Sequence, residues 1–405
     1  MFAAAPAHAD EGGSGDYTFA GNVQYNQKPL EGVEITVSGN GEKVTVKTDA
    51  AGQWRIHVAA KGSYKVTLDE ETLPKGVVVA KGGATQTAEF GLTQTKAVNF
   101  FLGQGQRVTN TFWDQLLQRL INGLNFGLML ALAAIGLSLI FGTTGLSNFA
   151  HSEMITFGAL MTLTFSTILG WPLWAGIAIA LILSAGLGWS MDAVIWKPLR
   201  KKGVGLIPMM IVSIGLSLAI RYVYQFFYGG ATRQLPGATL PSELRIGAAS
   251  LSWVDVLSMV ISLVVLGGVA FFLLRTRIGK ATRAVSDNPS LASASGIDVD
   301  RVIRIVWVMG GALAGLSGIL YAYYRPGVSW DMGFQILLLV FAAVTLGGLG
   351  TAFGALVGSL VVGLFVELST LWLPSDLKYV GALVVLILVL LLRPQGILGR
   401  KERIG

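Results

Sequence analysis

Hydrophobic and polar positions follow two different rhythms along this chain, and the change falls between residues 102 and 120. In the first part, Val33, Ile35 and Val37 alternate with Glu34 and Thr36, and Trp54, Ile56, Val58 and then Tyr64, Val66, Leu68 keep the same period. A period of two turns one face of a strand inward. Gly39-Asn40-Gly41 and Thr48-Asp49-Ala50-Ala51-Gly52 supply turns where positive φ or side-chain capping is useful. Short strands at this spacing predict a small all-β sandwich over 17–102. Farther on, apolar runs cover 121–142, 152–169, 172–195, 205–227, 251–274, 305–324, 333–347, 352–371 and 378–392. Some are near the minimum length for crossing a bilayer. They predict an all-α polytopic membrane bundle over 121–393 with eight to ten spans, nine preferred, in which 333–347 reads equally as a half-helix. Residues 103–120 are left as a linker or amphipathic lead-in and 394–405 as a tail.

Charge gives the bundle an orientation. With nine spans, one side collects Lys197, Arg200, Lys201, Lys202, then Arg275, Arg277, Lys280, Arg283, Arg301, Arg304, and finally Arg393, Arg400, Lys401, Arg403. The other side shows Arg233, Arg245 and Arg325, thinly spread, with Trp171, Trp174, Tyr323, Tyr324 and Trp330 suited to an interfacial belt. Basic loops stay cytoplasmic, so the expectation is a multi-pass plasma-membrane protein with its N-terminus outside and its C-terminus inside. Ala3–Ala9 reads AAAPAHA, and Ala7-His8-Ala9 before Asp10 fits a signal-peptide cleavage pattern. Residues 1–16 are therefore expected to be a signal remnant or a disordered tail. The net charge of +7 is scattered between apolar runs, in a chain 53% hydrophobic and 13% charged. That pattern argues against a nucleic-acid partner. Cysteine is absent, and His8, His57 and His151 are far apart, so no metal site is expected.

Catalytic motifs fare poorly. Gly315-Leu316-Ser317-Gly318 imitates an intramembrane serine protease, but no histidine stands nearby to activate the serine. His151-Ser152-Glu153 is not a zinc-peptidase motif, and Gly279-Lys280 is followed by alanine, so there is no phosphate-binding loop. No catalytic residue and no cofactor is expected on this chain. Glycines at 310, 311, 315 and 318 and again at 347, 348, 350, 354, 358 and 363 imply close helix packing, which a channel, a transporter and a structural bundle all need. Charges in or near spans are costly and mark candidate function. Glu153, Asp192, Arg221 and Glu367 are of this kind, with Asp192 expected near Lys197 and Glu367 expected near the outer end of its span, where it could be solvated. Asn125, Ser213, Ser217 and Glu367 are candidate lining of a translocation path.

The loop from Arg275 to Arg304 carries the most specific local pattern. Asn288 is a good N-cap, Pro289 suits a first helical position, and Gly296 suits a C-terminal stop. A helix of about two turns is predicted, with an apolar-to-small face from Leu291, Ala292 and Ser295. It would dock on a partner or lie on the membrane surface.

With Ala284, Asp287, Asn288, Pro289, Leu291, Ala292, Gly296 and Ile297, this loop resembles the coupling helix of the branched-chain amino acid type of ABC permease. Gly145-Leu146-Ser147-Asn148-Phe149-Ala150-His151-Ser152-Glu153, followed by Phe157-Gly158-Ala159, is similar to that family's Gly-x-x-Asn-x-Ala-His-Gly-Glu segment. The departure is Ser152, where the family usually has glycine, which puts the local packing in question. The resemblance covers roughly 118–400. It implies a transport subunit and not an enzyme, with ATP and magnesium held on two ABC ATPase subunits. It also implies a second homologous permease subunit and an extracytoplasmic solute-binding protein. The implied solute is a branched-chain amino acid carried inward by alternating access, and Asn148, His151 and Glu153 become gating candidates. Urea or short amides are the alternative cargo; a passive channel or a membrane-anchored docking protein is the alternative class. The stretch Gly32-Val33 through Thr48-Asp49 to Gly52-Gln53-Trp54 resembles carboxypeptidase-regulatory-like or transthyretin-like sandwiches, which implies a packing or docking module.

Overall fold

The alternating residues form strands whose inward members share one core. The computed structural model describes residues 11–12, 17–25, 28–74, 77–81, 84–90, 95–98, 100–104, 112–237, 243–246, 249–325, 327–373 and scattered positions from 377 to 397. The chain divides into two units, Met1–Thr109 and Asn110–Gly405. Of the expected signal segment, only Glu11–Gly12 lie among the described residues, as strand β1; the rest of 1–16 lies outside them. The tail beyond 397 also lies outside them.

The first unit continues with β2 (Tyr17–Tyr25), β3 (Lys28–Pro29), β4 (Glu34–Gly39), β5 (Glu42–Lys47), β6 (Gln53–Val58), β7 (Ser63–Leu68), β8 (Val77–Lys81), β9 (Thr85–Glu89), β10 (Thr95–Ala97) and β11 (Phe100–Gln104). One sheet runs β1-β6-β2-β11-β8, with β3 and β10 also on β2, and the other runs β5-β4-β7-β9. Ile35, Val37, Trp54, Ile56, Val58, Tyr64, Val66 and Leu68 are all buried in the shared core, as their spacing predicted. Asn40 and Gly41, both at positive φ, close the two-residue turn between β4 and β5, the geometry that matches strand twist. Asp49 Oδ1 accepts from the Ala51 and Gln53 amides at 2.9 and 2.7 Å, capping the next turn.

Among the described residues, the second unit is helical apart from a hairpin, β12 (Glu243–Ile246) and β13 (Ala249–Ser252). Its helices are α1 (Phe112–Thr144), α2 (His151–Thr162), α3 (Leu173–Ser190), α4 (Lys197–Lys201), α5 (Leu206–Tyr228), α6 (Trp253–Arg275), α7 (Arg277–Asp287), α8 (Pro289–Ala294), α9 (Val299–Tyr324), α10 (Met332–Gly347) and α11 (Ala352–Ser369). Among the described residues, six stretches are long and apolar enough to cross a membrane: α1, Leu173–Lys201, α5, α6, α9 and α11. The preferred count of nine is thus not reached among the described residues. The run at 152–169 starts with polar residues and becomes α2 plus a π-helical segment, Leu163–Ile168. The run at 333–347 becomes α10, only 16 residues long, which agrees with the half-helix option. Most of 378–392 lies outside the described residues.

Protein surrounds α1 and α9 along most of their length, whereas α3, α5 and α6 bury one stripe each. Glycine sets the central contacts. Gly123 and Gly127 of α1 press on Gly363 and Ser359 of α11, and Gly311 and Gly315 of α9 press on Gly188 and Ser184 of α3. In each case Gly-x-x-x-Gly meets Ser-x-x-x-Gly on an antiparallel partner, with backbones too close for any larger side chain. Each of α1 and α9 is also followed by a short helix and then by a longer one. The halves α1-α2-α3 and α9-α10-α11 are therefore the same device run in opposite directions, the arrangement of an inverted repeat.

Candidate functional site

Two half-helices begin inside the bundle. Residues 145–150 bring the chain back along α1, so that His151, in the first turn of α2, sits beside Ala133 and Gly136. The first turn of α10 meets it: the Gly333 amide donates to Thr156 Oγ1 at 3.0 Å, and Gly333 lies against the Ser152 carbonyl. Helix N-termini carry partial positive charge and unpaired amides, so an anion is favoured at this meeting point.

Glu153 is that anion, and it is fully buried. Its Oε1 accepts from Ser217 Oγ at 2.9 Å and from Arg221 Nε and Nη2 at 3.2 and 3.1 Å. Arg221 Nη2 also donates to Ser217 Oγ at 3.0 Å, and its guanidinium lies 3.7 Å from the centre of the Phe334 ring on α10. Tyr224 donates to the Glu153 carbonyl at 3.1 Å. The charge of an isolated carboxylate could not be held here; the guanidinium and the hydroxyls make it tenable. Ser152 resolves the question raised by its departure from glycine. Its hydroxyl lies 3.0 Å from both the Phe149 carbonyl and Glu153 Oε1, on the α5 side, while α10 approaches its backbone.

Asn148 and His151 flank this cluster. Asn148 Oδ1 accepts from the Ala150 amide at 3.2 Å, and His151 Nε2 donates to the Ala133 carbonyl at 3.0 Å. Both are fully buried. These two of the three gating candidates thus hold the non-helical approach to α2, one through its own loop and one through α1.

The four path candidates are not brought together. Ser217 faces α2, and Ser213 Oγ accepts from the Phe149 amide, just before α2, at 3.1 Å. Asn125 donates to Asp255 Oδ1 at 3.0 Å and ties α1 to α6. Glu367 is only 2% exposed, not solvated; it accepts from Tyr324 Oη at 2.8 Å and pairs with Arg119 at 3.3 Å. Asp192 pairs with Arg200 at 2.6 Å, while Lys197 takes Asp300 at 2.9 Å. Sequence reading also missed a periodic signal. The buried residues of α5 are Met209, Ser213, Ser217, Arg221 and Tyr224, a polar stripe at helical spacing aimed at Glu153.

The loop helix forms as its pattern predicted. Asn288 Oδ1 caps α8 by accepting from the Leu291 amide at 2.9 Å, and Pro289 begins the helix. Gly296, at φ 84°, ends it, and the Ile297 amide donates to the Ala292 carbonyl at 3.0 Å, as a left-handed helix stop requires. One assignment needs correction. Ala292 is 4% exposed and packs with Val285 of α7 and Val302 of α9 in a small core that Ala284 and Ile297 border. It anchors α8 to its own chain and presents nothing to a partner. Leu291 is 63% exposed, and Asp287, Pro289 and Ser290 are exposed beside it.

Residues 119–392 match the model of the branched-chain amino acid transport system/permease component family, and residues 17–101 match that of a prealbumin-like fold domain. Among curated proteins, the chain is 32% identical over 302 residues to the high-affinity branched-chain amino acid transport system permease protein LivH of Escherichia coli strain K12, covering 71% of this chain and 96% of that one. It is 33% identical over 303 residues to the corresponding protein BraD of Pseudomonas aeruginosa, with the same two shares. It is 30% identical over 282 residues to a probable branched-chain amino acid transport permease protein LivH of Methanocaldococcus jannaschii, covering 67% of this chain and 89% of that one. With its apolar helices, this makes the chain a multi-pass membrane transport subunit and not itself an enzyme. The chain belongs to the branched-chain amino acid transport system permease family, with a prealbumin-like β-sandwich added at its N-terminal side.

Proposed function

We propose that this chain is the membrane subunit of an ATP-driven importer that moves branched-chain amino acids inward by alternating access. Two ABC ATPases work from the cytoplasmic side, where α7 and α8 lie. A second homologous permease subunit completes the path, and an extracytoplasmic binding protein delivers the solute. The N-terminus is outside and the C-terminus inside. Support for the cargo comes from the names of the relatives, and support for the orientation from the basic loops.

The observation that carries the reading is α8, a short helix capped at both ends and pinned from beneath, with Leu291 projecting from its outer face. Force applied to that face passes through Ala292 and Val302 into α9. From there, glycine contacts leave no slack toward α1, α2 and α3. Through α2, the motion reaches the Glu153–Arg221 pair and so α5. A partner that closes on ATP thus has a stiff route into the middle of the bundle.

Leu291→Glu tests this. Burying an unpaired charge at a docking contact costs several kcal/mol, on the order of 3–5, so the variant should insert normally yet lose co-purification with the ATPase and solute-stimulated ATP hydrolysis. Ala292→Glu instead breaks the small core and should lower thermal stability. Wild-type coupling by a stably inserted Leu291→Glu would remove α8 as the ATPase contact.

A further inference from the structure

The segment joining α9 to α10 borders a cavity of about 330 Å³ at the end of the bundle where α5 and α9 finish. Pockets for small ligands run from roughly 300 to 1,000 Å³, so this one has room for a small solute. Its lining includes Thr232, Tyr321, Arg325, Trp330, Asp331 and Gln335.

The charges in it are arranged unusually. Arg325 Nη1 donates to Gln335 Oε1 at 2.6 Å, and Gln335 Nε2 donates to Asp331 Oδ2 at 3.1 Å. Among the described residues, Arg325 and Asp331 make no direct ion pair; the Gln335 amide stands between them. It shows an acceptor to the cation and a donor to the anion, in the order in which an α-amino acid shows its carboxylate and ammonium. Asp331 also occupies the N-cap position of α10 without making a capping hydrogen bond. Its carboxylate instead takes Ser329 Oγ at 2.9 Å and Gln335. An aspartate at this position ordinarily serves the helix, and this one is turned toward the cavity lining.

We propose that the cavity binds a zwitterionic α-amino acid with an apolar side chain, Arg325 taking the carboxylate, Asp331 the ammonium, and Tyr321 and Trp330 flanking the side chain. The ligand displaces the Gln335 amide, whose hydrogen bonds it reproduces. This rests on the amino-acid importer reading, which places the cavity on the outer side. Arg325 and Gln335 are exposed, and pairs reached by water hold weakly. The site therefore suits transit better than storage. The first turn of α10 belongs to both places, since Phe334, beside Gln335, carries the Arg221 guanidinium.

The chain has no cysteine, so a single thiol can report on occupancy. In Thr232→Cys permease in nanodiscs, leucine should slow maleimide labelling, about tenfold at ten times its dissociation constant. Leucine should not protect a control thiol introduced by Ser250→Cys. The amine 3-methylbutylamine and the acid 4-methylpentanoate each lack one charged group and should need at least about tenfold higher concentrations. Adding Arg325→Gln should erase the advantage of leucine over the amine, and adding Asp331→Asn its advantage over the acid. Absence of protection, or equal protection by all three compounds, overturns the site. So do unchanged preferences in both charge variants. Protection without any ATP-coupled leucine uptake overturns the importer reading and leaves the site standing. Uptake without protection does the reverse.

Discussion

Removing Arg221 should be among the most costly single changes in the bundle. Arg221 is 7% exposed, and its guanidinium gives two hydrogen bonds to Glu153 and one to Ser217 and lies 3.7 Å from the Phe334 ring centre. Arg221→Met keeps much of the volume and leaves a buried carboxylate with hydroxyl donors alone. Breaking one side of a buried pair costs about 3–5 kcal/mol. By contrast, Ser217 gives that carboxylate a single hydrogen bond, and hydrogen bonds to charged groups are worth about 1.5–3 kcal/mol, so Ser217→Ala should cost less. Glu153→Gln with Arg221→Met removes both charges, and the double variant should recover at least about 2 kcal/mol of the summed single losses. Equilibrium unfolding of the purified permease in detergent, run as a double-mutant cycle, measures each quantity. If Arg221→Met costs no more than Ser217→Ala, or if the two charge substitutions add within about 0.5 kcal/mol, the pair is not what holds α2 to α5.

Two further outcomes follow from packing and from orientation. Gly363→Leu puts a side chain where α1 and α11 meet backbone to backbone; overpacking costs at least about 1–3 kcal/mol and should lower the unfolding midpoint, whereas Gly267→Leu, with open space around it, should not. For orientation, a thiol introduced by Ser63→Cys should react with an impermeant reagent in intact cells lacking an outer barrier, and one introduced by Ser290→Cys should not. Both serines are exposed in their own units, so the reverse pattern would invert the proposed topology.

The sandwich was legible because a strand declares its inner face locally: Trp54, Ile56 and Val58 alternate, and all are buried. The caps of α8 were legible for the same reason, since Asn288, Pro289 and Gly296 act within a few residues of themselves. What α8 turns inward was not, because Ala292 is covered by Val302 of another helix, and a two-turn helix does not say which of its sides has a neighbour. Whether Glu367 is solvated was left open by its sequence because its partner Arg119 lies 248 residues away. Arg325 and Trp330, read as parts of a sparse outer face and an interfacial belt, turn out to border a cavity formed by residues between helices that composition cannot place. The repeated Gly-x-x-x-Gly and Ser-x-x-x-Gly pairs were present in the sequence, but which pair meets which is a fact of the fold.

On the proposed function, this subunit moves amino acids only when a partner hydrolyses ATP. Proteoliposomes holding the permease, its ATPases and the solute-binding protein test it, with labelled leucine outside and ATP supplied on the ATPase side. Leucine should accumulate above its external concentration, and the accumulation should vanish with a non-hydrolysable ATP analogue. Leucine that merely equilibrates, at the same rate with or without ATP, would make the protein a channel and contradict it.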